Sequence, residues 1–467
     1  MWSKQNFRRG IAWLALLLLA ALALLPVGVA RAESDDGDIA KSCAFLSPED
    51  PDRVKKLLDG SVKTFVTLRA GQQVRLNFPE PVQGVYLEWF ELPAAFTMDQ
   101  LTAEGSVLCT ETVTEPGLNR YYPMESGAGG LAIYGEGDLT LATLRVYPAG
   151  PLPESLQRWE PPAGKCDLLL ISAHCDDELL YFGGTIPTYA GERGCRVQLA
   201  YMAHGNRLRQ NEAMDGLWLC GVRNEPIFLG FRDSYSESLK TAERQWGREK
   251  VLTALTALIR RTKPEVIITH DLEGEYGHGA HRITASCVQE AVALAADPSA
   301  EPSSLTEYGA WQVKKLYLHL YPENALLMDW RVPLAAFNGK TALDMANEAY
   351  LCHASQLDYH TAVHDAGDDN CAAFGLAFTA VGPDEEKDDF LEHIDPADLT
   401  GYVPPTPAPT QAPTPAPTPV PTNDPAPTAS PEPAPPAKPF PWTPVGIACA
   451  LIPVVAGALL LAGRKKR

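Results

Sequence analysis

From residue 162 onward, short apolar runs alternate with longer amphipathic stretches, and this alternation constrains the fold more than any other feature of the chain. The runs that predict strands are 167–173, 196–202, 226–230, 264–270 and 313–319. The stretches that predict helices are 178–190, 207–220, 242–261 and 281–296. Strands separated by helices in this way form a mostly parallel sheet with both faces covered. We therefore expect an α/β fold in this part of the chain.

The preceding residues, 36–155, predict an all-β region. Short runs with alternating apolar and β-branched residues are separated by Gly, Pro, Asn and Asp turns, as is typical of a β-sandwich. The runs are 64–68, 73–78, 84–90 and 139–147. Cys43 and Cys109 are the only cysteines before residue 166, which makes them candidates for a disulfide.

The first 32 residues have the organisation of a signal peptide. A basic start is followed by the apolar run 11–30 and by the small-x-small site Ala30-Arg31-Ala32. A retained amino-terminal membrane anchor is the alternative interpretation, because the apolar run is long for a signal.

The carboxyl-terminal part predicts a stalk and a membrane anchor. Residues 402–444 form a Pro/Thr-rich linker, with 17 prolines among the 38 residues from 404 to 441, a composition typical of a semi-rigid extended spacer. Residues 445–463 carry no charge and are followed by the basic tail 464–467, which predicts one transmembrane helix with a cytoplasmic tail. Together with the signal peptide, these segments predict a cell-surface protein anchored to the plasma membrane.

The net charge of −19 argues against nucleic acid as a partner and against binding along an anionic lipid surface. The sequence does not indicate an oligomeric state.

Two short motifs follow predicted strands and combine residue types that bind metals. His174-Cys175-Asp176-Asp177-Glu178 follows the strand 167–173, and His278 and His281 come after the strand 264–270. Of the ten histidines in the chain, none precedes residue 174 and three lie in these motifs. Open α/β sheets place ligands at the carboxyl ends of their strands. We therefore expect a metal site at which His174, Asp177 and His281 meet.

The two motifs resemble those of the PIG-L/LmbE-type deacetylases, which remove acetyl from N-acetylglucosamine units with zinc or a similar divalent metal. The family's His-Pro-Asp-Asp-Glu stretch matches here except for Cys175. Its second pattern, His-Asp-x-x-Gly and then Gly-His-x-x-His, fits 270–281, although Ala280 stands where many members carry an aspartate. The likeness covers about 162–397 and implies a Rossmann-like, mostly parallel sheet. We interpret Cys175 as a local substitution for proline.

The resemblance also implies roles for individual residues. His174, Asp177 and His281 correspond to the metal ligands, which would hold Zn²⁺ or another divalent ion. Asp176 corresponds to the general base that deprotonates the metal-bound water. His278 corresponds to an imidazolium that stabilises the oxyanion or protonates the departing amine. Glu178 is expected to favour the start of a helix rather than to take part in the reaction.

Two further residues match family positions near the substrate. Arg209 belongs to an Arg-x-x-Glu pattern, and Asp233 matches an aspartate near the sugar; a surface ion pair is the alternative for both. The sandwich at 36–155 resembles a discoidin-type, galactose-binding-like module, for which a role in packing or spacing remains the alternative.

The predicted function is zinc-dependent N-deacetylation of N-acetylglucosamine-containing glycans or glycoconjugates at the cell surface. The alternatives are another amidase, such as a thiol-conjugate amidase, and a catalytically idle glycan-binding protein.

Overall fold

The computed structural model describes residues 37–401, and the structural statements below refer to that range. The predicted signal peptide (1–32), linker (402–444), transmembrane segment (445–463) and tail (464–467) lie outside it.

No helix within residues 37–401 is long and apolar enough to cross a membrane. The helix Gly279–Ala296, for example, is 18 residues long but carries Arg282 and Glu290, and charges of this kind are costly in a bilayer. We therefore correct the prediction of a fold with one transmembrane helix and the cell-surface, plasma-membrane location drawn from it. Neither is carried into the function proposed below.

Nine antiparallel strands form a sandwich of two sheets, with orders β1-β3-β8-β5-β6 and β2-β9-β4-β7. The strands are β1 (Ala44–Ser47), β2 (Val66–Leu68), β3 (Gln73–Asn77), β4 (Val82–Trp89), β5 (Phe96–Leu101), β6 (Val107–Val113), β7 (Asn119–Pro123), β8 (Gly130–Tyr134) and β9 (Leu139–Pro148). Helix α1 (Pro51–Leu58) follows β1. The predicted all-β region therefore has the expected two-sheet form.

Aromatic side chains fill the space between the two sheets. Trp89 on β4 is fully buried, and its ring centroid lies 4.9 Å from that of Phe96 on β5. Phe96 in turn packs edge-on against Tyr122 at 5.6 Å. Large rings in such tilted arrangements contribute much of the apolar area buried in a small core.

The disulfide considered for this region is absent, because all nine cysteines within residues 37–401 are free thiols. Cys43 immediately precedes β1, whereas Cys109 lies on β6 at the opposite edge of the same five-stranded sheet. Strands are spaced ~4.8 Å apart, so the two thiols lie far beyond disulfide reach.

A seven-stranded sheet forms the second region, with the order β12-β11-β10-β13-β14-β16-β15. Its strands are β10 (Leu168–Ser172), β11 (Val197–Ala203), β12 (Ile227–Phe231), β13 (Val266–Thr269), β14 (Lys315–His319), β15 (Ala325–Leu327) and β16 (Ala373–Thr379). The first five are parallel and correspond to the five predicted strands. The antiparallel pair β15 and β16 was not predicted.

The helices of this region include the four predicted stretches, two of which differ in form, and two further helices that were not predicted. They are α2 (Asp177–Leu180), α3 (Arg207–Leu219), α4 (Leu239–Trp246), α5 (Arg248–Thr262), α6 (Gly279–Ala296), α7 (Pro302–Tyr308) and α8 (Ala342–Tyr350). The helix predicted at 178–190 is a single turn, α2, that is followed by turns and a π-helical segment at Pro187–Glu192. The helix predicted at 242–261 is interrupted at Gly247, whose φ of 77° is left-handed.

The order of the parallel strands places a binding crevice between β10 and β13. The chain runs from β10 outward to β12 on one side and then crosses to β13 on the other side. At such a switch point the connections leave in opposite directions and open a crevice at the carboxyl ends of the strands. Both motifs follow these two strands, so the topology brings them to the same crevice.

Buried polar contacts join the sandwich to the α/β region. Arg120 on β7 forms an ion pair with Glu225 at 2.8 Å, and Asn119 donates to the side chain of Asn211 on α3 at 3.0 Å. Arg207 donates to the carbonyl oxygen of Trp89 at 2.7 Å. The division of the chain into domains at 36–155 and 162–397 stays a prediction.

We expect Leu170→Ala to lower the free energy of unfolding by ~2–5 kcal/mol, because this side chain lies fully buried on β10 and truncation leaves a cavity. Urea denaturation measures the effect. The matched control is Leu327→Ala on β15, where the side chain is 66% exposed and the change should stay within ~0.5 kcal/mol. Equal losses in the two variants would contradict the described burial of the central strand.

Candidate metal centre and active site

Three predicted ligand atoms converge at the carboxyl ends of β10 and β13. His174 and Asp177 follow β10, and His281 lies in the first turn of α6. The Nδ1 atom of His174 lies 3.0 Å from Oδ2 of Asp177. The Nε2 atom of His281 lies 3.3 Å from each of these two atoms. All three side chains are buried.

This spacing fits a tetrahedral divalent metal ion. Ligands at ~2.0–2.2 Å from zinc in tetrahedral geometry lie ~3.3–3.6 Å from one another, and the three observed separations are 3.0, 3.3 and 3.3 Å. Two imidazole nitrogens and one carboxylate oxygen also form a donor set typical of catalytic zinc, which keeps a fourth position open. His174, Asp177 and His281 therefore suit the ion that the sequence predicts.

His270 also belongs to this cluster, but both of its ring nitrogens already have hydrogen-bond partners. Two overlapping sets of atoms lie within metal-binding reach of one another: one consists of Asp177, His270 and His281, and the other of His174, His278 and His281. Nε2 of His270 accepts the backbone N–H of Ala173 at 2.8 Å, and Nδ1 faces Glu275 at 2.9 Å. Because both ring nitrogens have partners, His270 serves the structure around the site rather than binding the ion.

Electrostatics raise the proton affinity of the ligand His281. Burial alone would lower the pKa of its ring, but the Asp177 and Glu275 carboxylates outweigh burial and raise this pKa to about 10. Burial would likewise raise the pKa of Asp177, but His281 and His174 hold it well below the usual range. Asp177 is therefore an anion, as a metal ligand must be.

Asp176, the predicted general base, is held by contacts to both its backbone and its carboxylate. Its φ of 145° is a strained conformation for a residue other than glycine. Its N–H donates to Oε2 of Glu178 at 2.8 Å, and its Oδ1 accepts from Arg209 at 2.9 Å. Burial, together with the neighbouring Asp177 carboxylate, raises the pKa of Asp176 to about 7.

Arg209 and Asp233, the predicted substrate-binding residues, form an ion pair with each other at 2.8 Å. Arg209 also reaches Asp176 and donates to the carbonyl oxygen of Cys175 at 2.8 Å. The side chain of Arg209 is 14% exposed and that of Asp233 is 27% exposed. The pair is therefore part of the site, and its arginine faces the predicted base.

His278 has the hydrogen-bond pattern of a neutral ring. Its Nδ1 accepts the backbone N–H of Ala280 and caps the start of α6, which leaves the ring proton on Nε2. Burial, with the nearby rings of His281 and His174, lowers the pKa of His278 to about 3. An imidazolium, the form expected from the resemblance, does not fit this environment.

The thiol of Cys175 takes no part in the metal cluster. Its side chain is fully buried in the apolar core, and burial raises its thiol pKa well above the usual value. This location agrees with the interpretation of Cys175 as a replacement for proline.

Glu178 lies at the start of helix α2, as expected, but it also forms hydrogen bonds within the site. It is fully buried; one carboxylate oxygen accepts from the N–H of Asp176, and the other lies 2.9 Å from Nε2 of His353. His353 follows α8, 175 residues further along the chain. No local pattern in the sequence indicated this pair.

Glu275 is a second buried carboxylate that the sequence motifs did not identify. It contacts the rings of His270, His281 and His319. The signal that could have found it is an acidic residue beside Gly274, at the turn between the two histidine-containing segments.

Two exposed tyrosines form the rim of the site. The rings of Tyr235 and Tyr276 lie 5.1 and 5.6 Å from the ring of His278. They are 69% and 58% exposed. Two exposed aromatic rings therefore lie beside His278, next to the candidate metal ligands.

Residues 169–292 match the family model described as PIG-L: GlcNAc-PI de-N-acetylase. Among similar curated proteins, the 1D-myo-inositol 2-acetamido-2-deoxy-alpha-D-glucopyranoside deacetylase 1 of Catenulispora acidiphila is 30% identical over 215 residues. The match covers 40% of this chain and 64% of that protein, which is less than two thirds of its length. The corresponding deacetylase of Rhodococcus jostii is 27% identical over 246 residues, covering 41% of this chain and 81% of that protein.

A solved structure, the N,N'-diacetylchitobiose deacetylase of Pyrococcus horikoshii, matches 41% of this chain and 70% of its own at 22% identity, with a TM-score of 0.32. The discoidin-type resemblance of the sandwich stays a prediction. The match of residues 169–292 to the PIG-L family model supports the family resemblance read from the two motifs.

Proposed function

We propose that this chain is a divalent-metal-dependent hydrolase that removes the acetyl group from N-acetylglucosamine units of a glycan or glycoconjugate. One observation carries the proposal: Nδ1 of His174, Oδ2 of Asp177 and Nε2 of His281 meet within 3.3 Å of one another beside Asp176. The family domain and the deacetylase relatives support hydrolysis of an acetamide on an amino sugar.

His174, Asp177 and His281 would hold the ion, which supplies Lewis-acid polarisation of the acetamide and a lowered pKa for water. Zinc suits this donor set, and another divalent ion would be held by the same residues.

Asp176 is the group suited to move the proton. Its pKa of about 7 lies near the working pH, where a carboxylate can both accept a proton from water and return it to the departing amine. The contacts from Arg209 and Glu178 fix its direction. We propose that this single carboxylate acts first as the base and then as the acid.

His278 is suited to donate a hydrogen bond rather than a proton. Because its Nδ1 already accepts from Ala280, the neutral ring carries its proton on Nε2, and a ring nitrogen of His278 lies within 4.8 Å of ring nitrogens of His174 and His281. A fixed donor of this kind stabilises the negative charge that develops on the acetamide oxygen. This role replaces the imidazolium that the resemblance implied.

The rim supports a sugar as the substrate. Tyr235 and Tyr276 present exposed rings beside His278, and such surfaces suit the apolar face of a pyranose. Arg209 is directed to Asp176, so we assign contact with sugar hydroxyl groups to the more exposed Asp233.

Metal binding is the first test. Zinc-free wild-type protein should bind one zinc ion per chain, and zinc at about 100 times its Kd should add ~2.7 kcal/mol to the free energy of unfolding. His281→Ala should remove this gain, whereas His364→Ala, which changes an exposed histidine outside the cluster, should keep it. Full zinc stabilisation of His281→Ala would exclude the proposed ligand set.

Removal of the base should separate chemistry from metal binding. Asp176→Asn should lower the rate of acetate release from N-acetylglucosamine oligomers by about 10²- to 10⁴-fold, because proton transfer is lost, while the zinc content stays at one per chain. The control Asp388→Asn changes an exposed carboxylate and should leave the rate unchanged. A panel of N-acyl substrates that includes thiol conjugates identifies the alternative amidase, which would hydrolyse those conjugates instead.

The rim residue Tyr235 should act mainly on binding. Tyr235→Ala should raise KM for N-acetylglucosamine oligomers by about two- to tenfold, as expected for the loss of ~0.5–1.5 kcal/mol of ring contact, with little change in kcat. Tyr235→Phe retains the ring and should behave as the wild type. A KM for Tyr235→Ala equal to that of the wild type would show that the ring does not contact the sugar.

A further inference from the structure

Ala280 leaves the metal centre without a carboxylate at the position before the last histidine of the motif. This residue lies in the first turn of α6 and is buried in the apolar core. Its methyl side chain cannot accept a hydrogen bond. A histidine that binds a metal through one ring nitrogen is normally held by an acceptor on the other nitrogen. His281 therefore needs such an acceptor from elsewhere in the chain.

Glu275 supplies that acceptor and contacts two further rings. One of its oxygens, Oε2, lies 2.7 Å from Nδ1 of His281 and 2.9 Å from Nδ1 of His270. The other oxygen, Oε1, lies 2.7 Å from Nδ1 of His319 and 3.3 Å from the backbone N of Asp271. A carboxylate has about four acceptor positions, so these four donors use all of them.

These contacts determine which nitrogen each ring presents. With Nδ1–H of His281 directed to Glu275, Nε2 is the nitrogen left to bind a metal ion, and it faces Asp177 and His174. With Nδ1–H of His270 directed to the same oxygen, its Nε2 accepts the N–H of Ala173, the residue before His174. One carboxylate thus orients one ligand directly and supports the backbone of another.

The turn between β13 and α6 directs Glu275 inward. Gly274 has a φ of 69°, and a Cβ on it would lie 2.5 Å from the carbonyl oxygen of His278, so only glycine fits there. Tyr276 also adopts a left-handed φ of 44°, and its side chain is largely exposed. The side chain of Glu275, which lies between Gly274 and Tyr276 in the sequence, is fully buried. The backbone strain on either side of Glu275 is consistent with a position set by the site.

We propose that Glu275 is the positioning residue of the metal centre and takes the place of the carboxylate that is absent at position 280. This inference rests on the metal site proposed above. It assigns to Glu275 the orientation of His281 and, through His270, of the backbone that leads into His174. His319 connects the same carboxylate to β14, so three neighbouring strands contribute to one hydrogen-bonded unit.

The test is the zinc affinity of Glu275→Gln, measured by competition with a chelator of known affinity. An amide offers one acceptor oxygen and an NH₂ group that cannot accept, so His281 and His270 cannot both keep their partner. We expect the Kd for zinc to rise by about 10- to 100-fold. Glu275→Asp retains the charge but is one methylene too short to reach all three rings, and its Kd should rise by a smaller factor.

The matched control is Glu225→Gln. It removes another buried carboxylate, which forms an ion pair with Arg120 of the sandwich and belongs to neither motif. In EDTA, both Glu275→Gln and Glu225→Gln should lower Tm, but only the former should weaken zinc binding. A zinc Kd within twofold of wild type in Glu275→Gln would overturn the inference while leaving the proposed function intact. Failure of the wild type to bind zinc or another divalent ion would instead refute the proposed metal site.

Discussion

The parallel pairing of β10 with β13 is the contact on which the candidate site depends. Leu168, Leu169 and Leu170 pair with Val266, Ile267 and Ile268, and both strands are buried. Because the two strands run in the same direction, their carboxyl ends emerge side by side, and the chain segments that follow them diverge. His174 and Asp177 follow β10, and His281 follows β13. The pairing register of these two strands, which apolar side chains fix, therefore sets the distances between the polar atoms of the site.

The site contains more buried charge than a protein core normally contains, and each charge has a partner. Asp177 faces His174 and His281, Glu275 faces three histidines, Glu178 faces His353, and Asp176 faces Arg209. An isolated buried charge is costly, and removal of one member of a pair leaves the other uncompensated. The acidic and basic residues therefore form one interdependent set, in which a substitution at one member alters the orientation of several.

Much of the α/β region was predictable because its signal is local. The five parallel strands follow from apolar runs of strand length, and their alternation with helices implies the parallel sheet. The break at Gly247 requires knowledge of a left-handed φ. The antiparallel strands β15 and β16 are separated by a long segment that contains helix α8, so no short-range turn signal indicates their pairing. The candidate ligands His174 and Asp177 were predictable because they lie within five residues of the end of β10, and His281 because it belongs to a two-histidine motif that follows β13.

The residues that orient these ligands were not predictable by the same means. Glu178 and His353 are 175 positions apart, and Glu275 meets His319 across 44 positions. Such contacts depend on how α8 and β14 pack against the sheet, which no short motif encodes. The absence of a carboxylate at Ala280 was visible in the sequence, but its replacement by Glu275 depends on an inward turn that only the fold reveals.

The environments of two adjacent aspartates then divide the work of the site. Asp177 lies against two imidazoles, which hold its pKa well below the usual range. Asp176 is buried beside that negative charge, which raises its pKa to about 7 despite the opposing charge of Arg209. Neighbouring carboxylates whose proton affinities are separated in this way are suited to different tasks. In the proposed mechanism, Asp177 stays an anion and would bind the metal, and Asp176 would exchange a proton near neutral pH. The partners of each carboxylate, rather than the motif alone, therefore separate the proposed ligand, Asp177, from the proposed base, Asp176.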